Sequence, residues 1–113
     1  MLLKTVLAIF LLAPSSYPQS SSKSWYQVLE VKGTASKQTD LFETKGTKWR
    51  IRWQKTNPKD QLSIYVFAKD GSPESAIATQ SEGADESYIH KSGTFYLNIS
   101  ASTAYTIVVE DWR

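Results

Sequence analysis

The chain of 113 residues carries 13 Lys and Arg residues against 11 Asp and Glu residues, and it contains no cysteine. This length suits one domain, and an apolar fraction of 41% is enough for a packed core. The lack of cysteine excludes disulfides, zinc–thiolate sites and cysteine nucleophiles, and a net charge of +2 is too small to predict a nucleic-acid partner.

The first segment has the layout of a secretory signal peptide. One cation in MLLK precedes the apolar run TVLAIFLLA, and the polar, proline-containing stretch PSSYPQSSSKS follows. The apolar run is much shorter than the ~20 residues of a membrane span. We therefore expect a signal peptide and flexible lead-in over residues 1–22, cleaved between residues 15 and 22, and a mature domain over residues 23–113. The protein would be secreted, extracellular or periplasmic, with no membrane association after cleavage.

The rest of the chain predicts short strands separated by turns. Alternating apolar and polar residues, β-branched and aromatic side chains, and closing Gly or Asp-Gly signals recur every 8–12 residues. The predicted strands are 25–33, 38–46, 47–56, 61–71, 75–83, 85–93, 93–100 and 104–112. No segment has a helical period, so the sequence predicts an antiparallel β-sandwich of about eight strands, jelly-roll-like or immunoglobulin-like.

The stretch TKWRIRWQKT (47–56) alternates large apolar residues with cations. Trp49, Ile51 and Trp53 share one face of the predicted strand and should be buried, because together they would form a large exposed apolar patch. The same alternation predicts further core residues and an outward Asn98 in the N-glycosylation sequon NIS. These core residues are Phe95, Leu97, Ile99, Tyr105, Ile107 and Val109.

The outward cations of this strand provide the candidate ligand-binding face. If residues 48–54 formed a hairpin with residues 61–69, matching the buried faces would set Arg50 opposite Tyr65 and Lys48 opposite Phe67. The predicted ligand-binding residues, a platform for an anionic or sugar-like polymer, are Lys48, Arg50, Arg52, Tyr65 and Phe67. Two alternatives stay open: a solvated face shielded by long Lys and Arg stems, or two strands in opposite sheets, which would form no such patch.

Catalytic motifs are absent from the sequence. It contains no GxSxG, HExxH, P-loop or GxGxxG pattern, and its one histidine, His90, lies in a polar strand near Asp85 and Glu86. We interpret His90 as a surface residue, and we expect no catalytic residue, no metal site and no cofactor.

Three stretches carry a resemblance. KGTKWRIRW (45–53), SGTFYLNI (92–99) and YTIVVED (105–111) resemble the signature of small secreted bacterial β-sandwich modules. In that signature a glycine precedes W-x-I-x-W, a G-x-Y-Y-L-x-I strand follows, and W-x-V-x-V-E closes the chain. Phe95 and Tyr105 stand where the pattern has Tyr and Trp. The resemblance implies the fold and a secreted location, and it implies no catalytic residue and no particular ligand.

The sequence thus predicts a non-catalytic secreted module that binds an extracellular protein, a carbohydrate or a cell-wall polymer. One alternative is a structural subunit of an extracellular assembly, joined through exposed strand edges. Another is a small hydrolase with two carboxylates in one pocket. The oligomeric state is left open.

Overall fold

A computed structural model describes residues 22–78 and 83–113, and all regular structure within these ranges is β-strand. The strands are β1 (Trp25–Gly33), β2 (Lys37–Gln38), β3 (Phe42–Thr44), β4 (Lys48–Lys55), β5 (Leu62–Ala68), β6 (Pro73–Ala78), β7 (Ala84–Ile89), β8 (Gly93–Ala101) and β9 (Tyr105–Trp112). The predicted strand 38–46 is divided into β2 and β3, so the described residues contain nine strands where the sequence predicts about eight.

The strands form two antiparallel sheets. Sheet A has the order β1-β9-β4-β7, and sheet B has the order β2-β8-β5-β6, with β3 pairing with the same strand β8. The sheets pack face to face around one core, which confirms the predicted all-β sandwich. In sheet A the first and last strands of the domain pair along their whole length, from Trp25 opposite Trp112 to Gly33 opposite Tyr105.

The core lies between the inner faces of the two sheets and follows the predicted alternation. Trp49 and Ile51 have no exposed surface and Trp53 is 5% exposed, which confirms their predicted burial. The six further residues predicted inside are also buried, and Asn98 points to solvent as predicted. The buried apolar set is completed by Val31, Phe42, Leu62, Ile64 and Val66.

An aromatic cluster ties the two sheets together at one end of the core. The ring of Trp49, from sheet A, lies 5.0 Å from that of Phe95 and 5.4 Å from that of Phe42, both from sheet B. The contact with Phe42 is edge-to-face, an arrangement that adds about 0.5–1.5 kcal/mol to the burial of the rings.

A buried carboxylate fixes the turn that precedes β4. Asp111 has no exposed surface, and it accepts hydrogen bonds from the backbone N–H groups of Lys45 (2.7 Å) and Gly46 (3.1 Å). A side chain at Gly46 would collide with the backbone carbonyl of Trp112, so only glycine fits there. This close approach sets the register in which Lys48 lies opposite Trp112.

The supposed hairpin between residues 48–54 and 61–69 does not form, and the alternative that places the two strands in opposite sheets is correct. β4 pairs with β7 and β9 in sheet A, whereas β5 pairs with β6 and β8 in sheet B. The connection between them crosses from one sheet to the other around the buried Lys55, whose Nζ donates hydrogen bonds to the carbonyls of Pro58 (2.7 Å) and Asp60 (2.9 Å). Either pairing buries the same alternate residues of β4, so the apolar pattern could not distinguish them.

Nearly all of the predicted signal peptide, residues 1–21, lies outside the described residues. Within the described ranges, no helix has the length and apolar character needed to cross a bilayer.

Candidate functional site

Three of the four cations of β4, Lys48, Arg50 and Arg52, point outward from sheet A, as the alternation predicts, and the fourth, Lys55, is buried. The neighbours of the three outward cations, however, come from β7 and β9. Lys48 lies opposite Trp112, and Arg50 lies between Glu110 and Tyr88. Arg52 lies between Val108 and Glu86.

Three aromatic side chains, Trp25, Trp112 and Tyr88, gather beside these cations, and we call them the aromatic platform. The ring of Trp25 lies 5.0 Å from that of Trp112 and 6.0 Å from that of Tyr88. Both tryptophans are partly exposed, and Tyr88 is 46% exposed. The platform draws one ring from each of β1, β9 and β7, so it spans the outer face of sheet A.

Arg50 supports the platform from below. Its guanidinium carbon lies 4.0 Å from the centre of the Trp25 ring, a cation–π contact. Its Nε donates to Oε1 of Glu110 at 2.7 Å, and its Nη1 donates to Oε1 of Glu86 at 3.4 Å. The hydroxyl of Tyr88 donates to the same Glu86 oxygen at 2.8 Å. A short ion-pair network therefore fixes the positions of two platform rings.

The electrostatics of Arg50 reflect this network. Partial burial acts to lower its pKa, but the hydrogen bonds to Glu110 and Tyr88 and the nearby carboxylates outweigh burial, so the pKa of Arg50 is raised. The guanidinium is thus held charged beneath the tryptophan ring, and its charge is balanced by two carboxylates.

The other two cations are placed differently. The Nζ of Lys48 lies 5.8 Å from the centre of the Trp25 ring and 5.5 Å from that of Trp112, so it lies beside both rings. The side chain of Arg52 is 54% exposed, and its Nη1 reaches Glu110 only at 3.5 Å. Arg52 therefore keeps most of its donors directed to solvent.

Next to the platform, on the same face, lies a shallow concavity of about 340 Å³ that we call the polar recess. Residues from the three strands β4, β7 and β9 line it, and its apolar members are Trp53, Ala84 and Val108. Its polar members on the outer face are Arg52, Gln54, Glu86 and Thr106, while Asp85 lies opposite the buried Trp53 in the register of β4 and β7.

The two predicted aromatic partners of the cations lie on the opposite side of the molecule. Tyr65 and Phe67 point outward from sheet B, so the predicted pairs Arg50–Tyr65 and Lys48–Phe67 are wrong. The ring of Phe67 stacks on that of Tyr96 at 5.3 Å, and Tyr65 lies opposite Asn98 and is 42% exposed. The structure therefore divides the five predicted residues between two outer faces. Their role in ligand binding stays a prediction.

The groups considered for catalysis have simple structural explanations. His90 is exposed beyond the end of β7. Glu86 and Glu110 both accept hydrogen bonds from Arg50. Over residues 22–78 and 83–113, no three His, Cys, Asp or Glu side chains are grouped as a metal site would require.

Sequence reasoning missed the platform residues. The alternation of β9 could have indicated Trp112. Because Tyr105, Ile107 and Val109 are predicted to be buried, the even-numbered residues of this strand, including Trp112, should point outward. Trp25 gave no such signal. A bulge in β1 between Gln27 and Leu29 shifts the alternation, so Trp25 points outward although it has the same parity as the buried Val31.

The fold and this outer face define a small all-β sandwich domain with an aromatic and ion-paired surface. Neither a protein-family model nor a curated protein matches the sequence. Among solved structures, the chain is similar to the SPBc2 prophage-derived protein YomS, with a TM-score of 0.54 and 9% identity over 81% of this chain and 94% of that chain. At this identity the likeness shows a shared fold alone.

Proposed function

We propose that the protein is a secreted, non-catalytic binding module whose extracellular polymer ligand lies on the outer face of sheet A. The observation that carries this proposal is the aromatic platform. Trp25, Trp112 and Tyr88 form a contiguous, partly exposed surface on one sheet face, supported by Arg50.

The cost of exposing these rings supports a binding role. Large aromatic side chains each gain on the order of 2–3 kcal/mol from burial, and an exposed cluster of them is a common mark of an interaction site. Trp, Tyr and Arg are also the residues that dominate binding energy at interfaces. All three residue types meet in the platform.

The fixed geometry of the rings supports the same role. Glu110 and Glu86 hold Arg50, Arg50 contacts the Trp25 ring, and Glu86 holds the Tyr88 hydroxyl. Rings that are already fixed lose little conformational freedom when a ligand stacks on them, which favours affinity.

The secreted part of the proposal rests on the sequence of residues 1–22, with its cation, apolar run and polar segment. Edman or mass-spectrometric analysis of the exported protein tests it, and we expect a mature N-terminus between residues 16 and 23. An exported or retained protein that keeps Met1 would contradict this part.

The binding proposal is tested with two matched tyrosines. Tyr88 lies on the outer face of sheet A and Tyr65 on that of sheet B, and their exposed fractions are 46% and 42%. We expect Tyr88→Ser to weaken binding to an array of glycans and cell-wall polymers about tenfold, since one stacked aromatic contributes about 1 kcal/mol or more.

Tyr65→Ser is the control and should bind like the parent protein. Circular dichroism of both variants confirms that the sandwich is retained. Equal losses for the two variants, or binding of the parent protein to no polymer on the array, would contradict the proposed function.

A further inference from the structure

The outer face of sheet A offers more than stacking rings. The register places Arg52 beside Val108 and Glu86, one row along the strands from Arg50, and Gln54 beside Thr106 and Ala84 in the next row. Rows on one face of a strand are about 7 Å apart. The polar recess therefore continues directly from the aromatic platform, along the direction of the strands.

The charges of this face nearly cancel. The outward residues of its strands carry four positive charges and three negative ones, from Lys32, Lys48, Arg50 and Arg52 and from Glu30, Glu86 and Glu110. A polyanion would gain from the cations but would lie against the carboxylates, and a polycation would meet the reverse problem. Electrostatic complementarity therefore favours an uncharged ligand.

The lining of the recess suits a ligand rich in hydroxyl groups. A hydroxyl both donates and accepts hydrogen bonds. The carboxylate of Glu86 accepts, the exposed guanidinium of Arg52 donates, and the amide of Gln54 and the hydroxyl of Thr106 do both. Val108 adds an apolar patch among them. The recess volume of about 340 Å³ lies within the range of small-ligand sites.

We infer that the ligand is a neutral glycan chain that lies along the strands, with one sugar ring stacked on the aromatic platform and a further unit in the polar recess. This inference rests on the proposed function and names the ligand class of the same face. Apolar C–H groups of a pyranose contact the platform rings, while its hydroxyls replace water on the recess side chains.

The test compares chain length and charge by titration calorimetry. The probes are cellohexaose, xylohexaose and chitohexaose, their disaccharides, and hexagalacturonate as the acidic counterpart. We expect one neutral hexasaccharide to bind, its disaccharide to bind more weakly, and hexagalacturonate to bind weakest.

A double variant of the recess, Gln54→Met with Thr106→Val, keeps the side-chain volumes and removes polar groups that take no part in the Arg50 network. It should reduce hexasaccharide affinity about tenfold, as expected for the loss of one to two hydrogen bonds. Disaccharide affinity should not change, because the platform alone holds the shorter chain. Tyr88→Ser should weaken both.

The outcomes separate this inference from the proposed function. Hexasaccharide affinity that falls with Tyr88→Ser but not with the recess variant would overturn the inference and leave the proposed function standing. Preferential binding of hexagalacturonate would do the same. If no oligosaccharide binds, and Tyr88→Ser and Tyr65→Ser behave alike on the polymer array, both are overturned.

Discussion

Each outer face of the sandwich carries three aromatic rings among the described residues, but the rings on the two faces make different contacts. On sheet B, Phe67 and Tyr96 stack on each other, and the other outward side chains of the central strands β5 and β8 are uncharged. On sheet A, the ring of Trp25 lies against an arginine that two carboxylates hold, and one of these carboxylates also binds the hydroxyl of Tyr88.

This difference identifies the candidate site better than exposure does. Tyr65 and Tyr88 have nearly equal exposed fractions, so exposure alone would select both faces. A cross-strand stacked pair such as Phe67 and Tyr96 stabilises its own sheet. A concavity of about 560 Å³ also lies at the ends of β5 and β8 in sheet B, lined by Ala68, Lys69, Asp70 and Thr94. The face of sheet A differs in having a ring held by an ion-paired arginine beside its polar recess.

The largest expected effect concerns the core that both faces share. Trp53→Ala should destabilise the protein by about 3–5 kcal/mol, because it removes a large ring that is almost wholly buried. A total stability of about 5–15 kcal/mol is typical, so the variant should be close to unfolded at 37 °C. Both outer faces would then be lost together. Denaturant unfolding measures the change.

The same substitution on the outside provides the control. Trp112→Ala should lower the free energy of unfolding by only about 1 kcal/mol, mainly through the lost contact with Trp25. Similar losses at Trp53 and Trp112 would mean that the in-and-out assignment of sheet A is mistaken.

A smaller effect is expected at Arg50. Arg50→Met should lower stability by about 1.5–2 kcal/mol, because it breaks charged hydrogen bonds and leaves the largely covered Glu110 without its closest partner. Tryptophan fluorescence should change too, since the guanidinium no longer lies against Trp25. Thermal unfolding and emission spectra measure both changes.

Arg52→Met is the matched control on the same strand. Its side chain is 54% exposed and its one ion pair with Glu110 is long, so stability should change by less than about 0.5 kcal/mol. If the two variants are equally stable, the network under the platform does not hold sheet A as described.

The smallest expected effect is a change of stability with pH that comes from a buried core residue and from neither outer face. Burial raises the pKa of Tyr105, whose hydroxyl donates to the carbonyl of Ala35 at 2.8 Å. The folded state therefore keeps this proton at a pH where the unfolded chain has lost it. The stabilisation is complete below the ordinary tyrosine pKa of about 10 and is lost as pH rises through the raised pKa.

Melting temperatures measured across the alkaline range should show this decline, and Tyr105→Phe should reduce its slope. An unchanged slope in the variant would show that Tyr105 does not titrate as a buried phenol.

Much of the fold could be predicted because it depends on local alternation. Alternation and the cost of an exposed apolar patch predict that Trp49, Ile51 and Trp53 are buried, and turn signals predict the positions of the strands. The partner of β4 could not be predicted, because pairing with β5 or with β9 buries the same residues. The path of the chain around Lys55 and the contacts of Asp111 with Gly46 favour pairing with β9, and alternation does not reveal either of them.

Local alternation also explains why the sequence predicts the cations of the candidate site and does not predict their aromatic neighbours. The outward direction of Lys48, Arg50 and Arg52 is a property of one strand. Their aromatic neighbours come from strands that are distant in sequence, and Trp25 reaches the face only through the bulge in β1. Long-range pairing and a one-residue shift are invisible to a pattern of alternating side chains.

The most direct test uses the indole N–H signals of the four tryptophans in a proton–nitrogen NMR spectrum. Trp25 and Trp112 lie on the outer face of sheet A, whereas Trp49 and Trp53 are buried. On titration with the polymer fragment that binds best, the account predicts that the Trp25 and Trp112 signals shift while the Trp49 and Trp53 signals stay in place. Unmoved Trp25 and Trp112 signals, with shifts confined to the backbone amides of β5 and β8, would place the ligand on sheet B and contradict it.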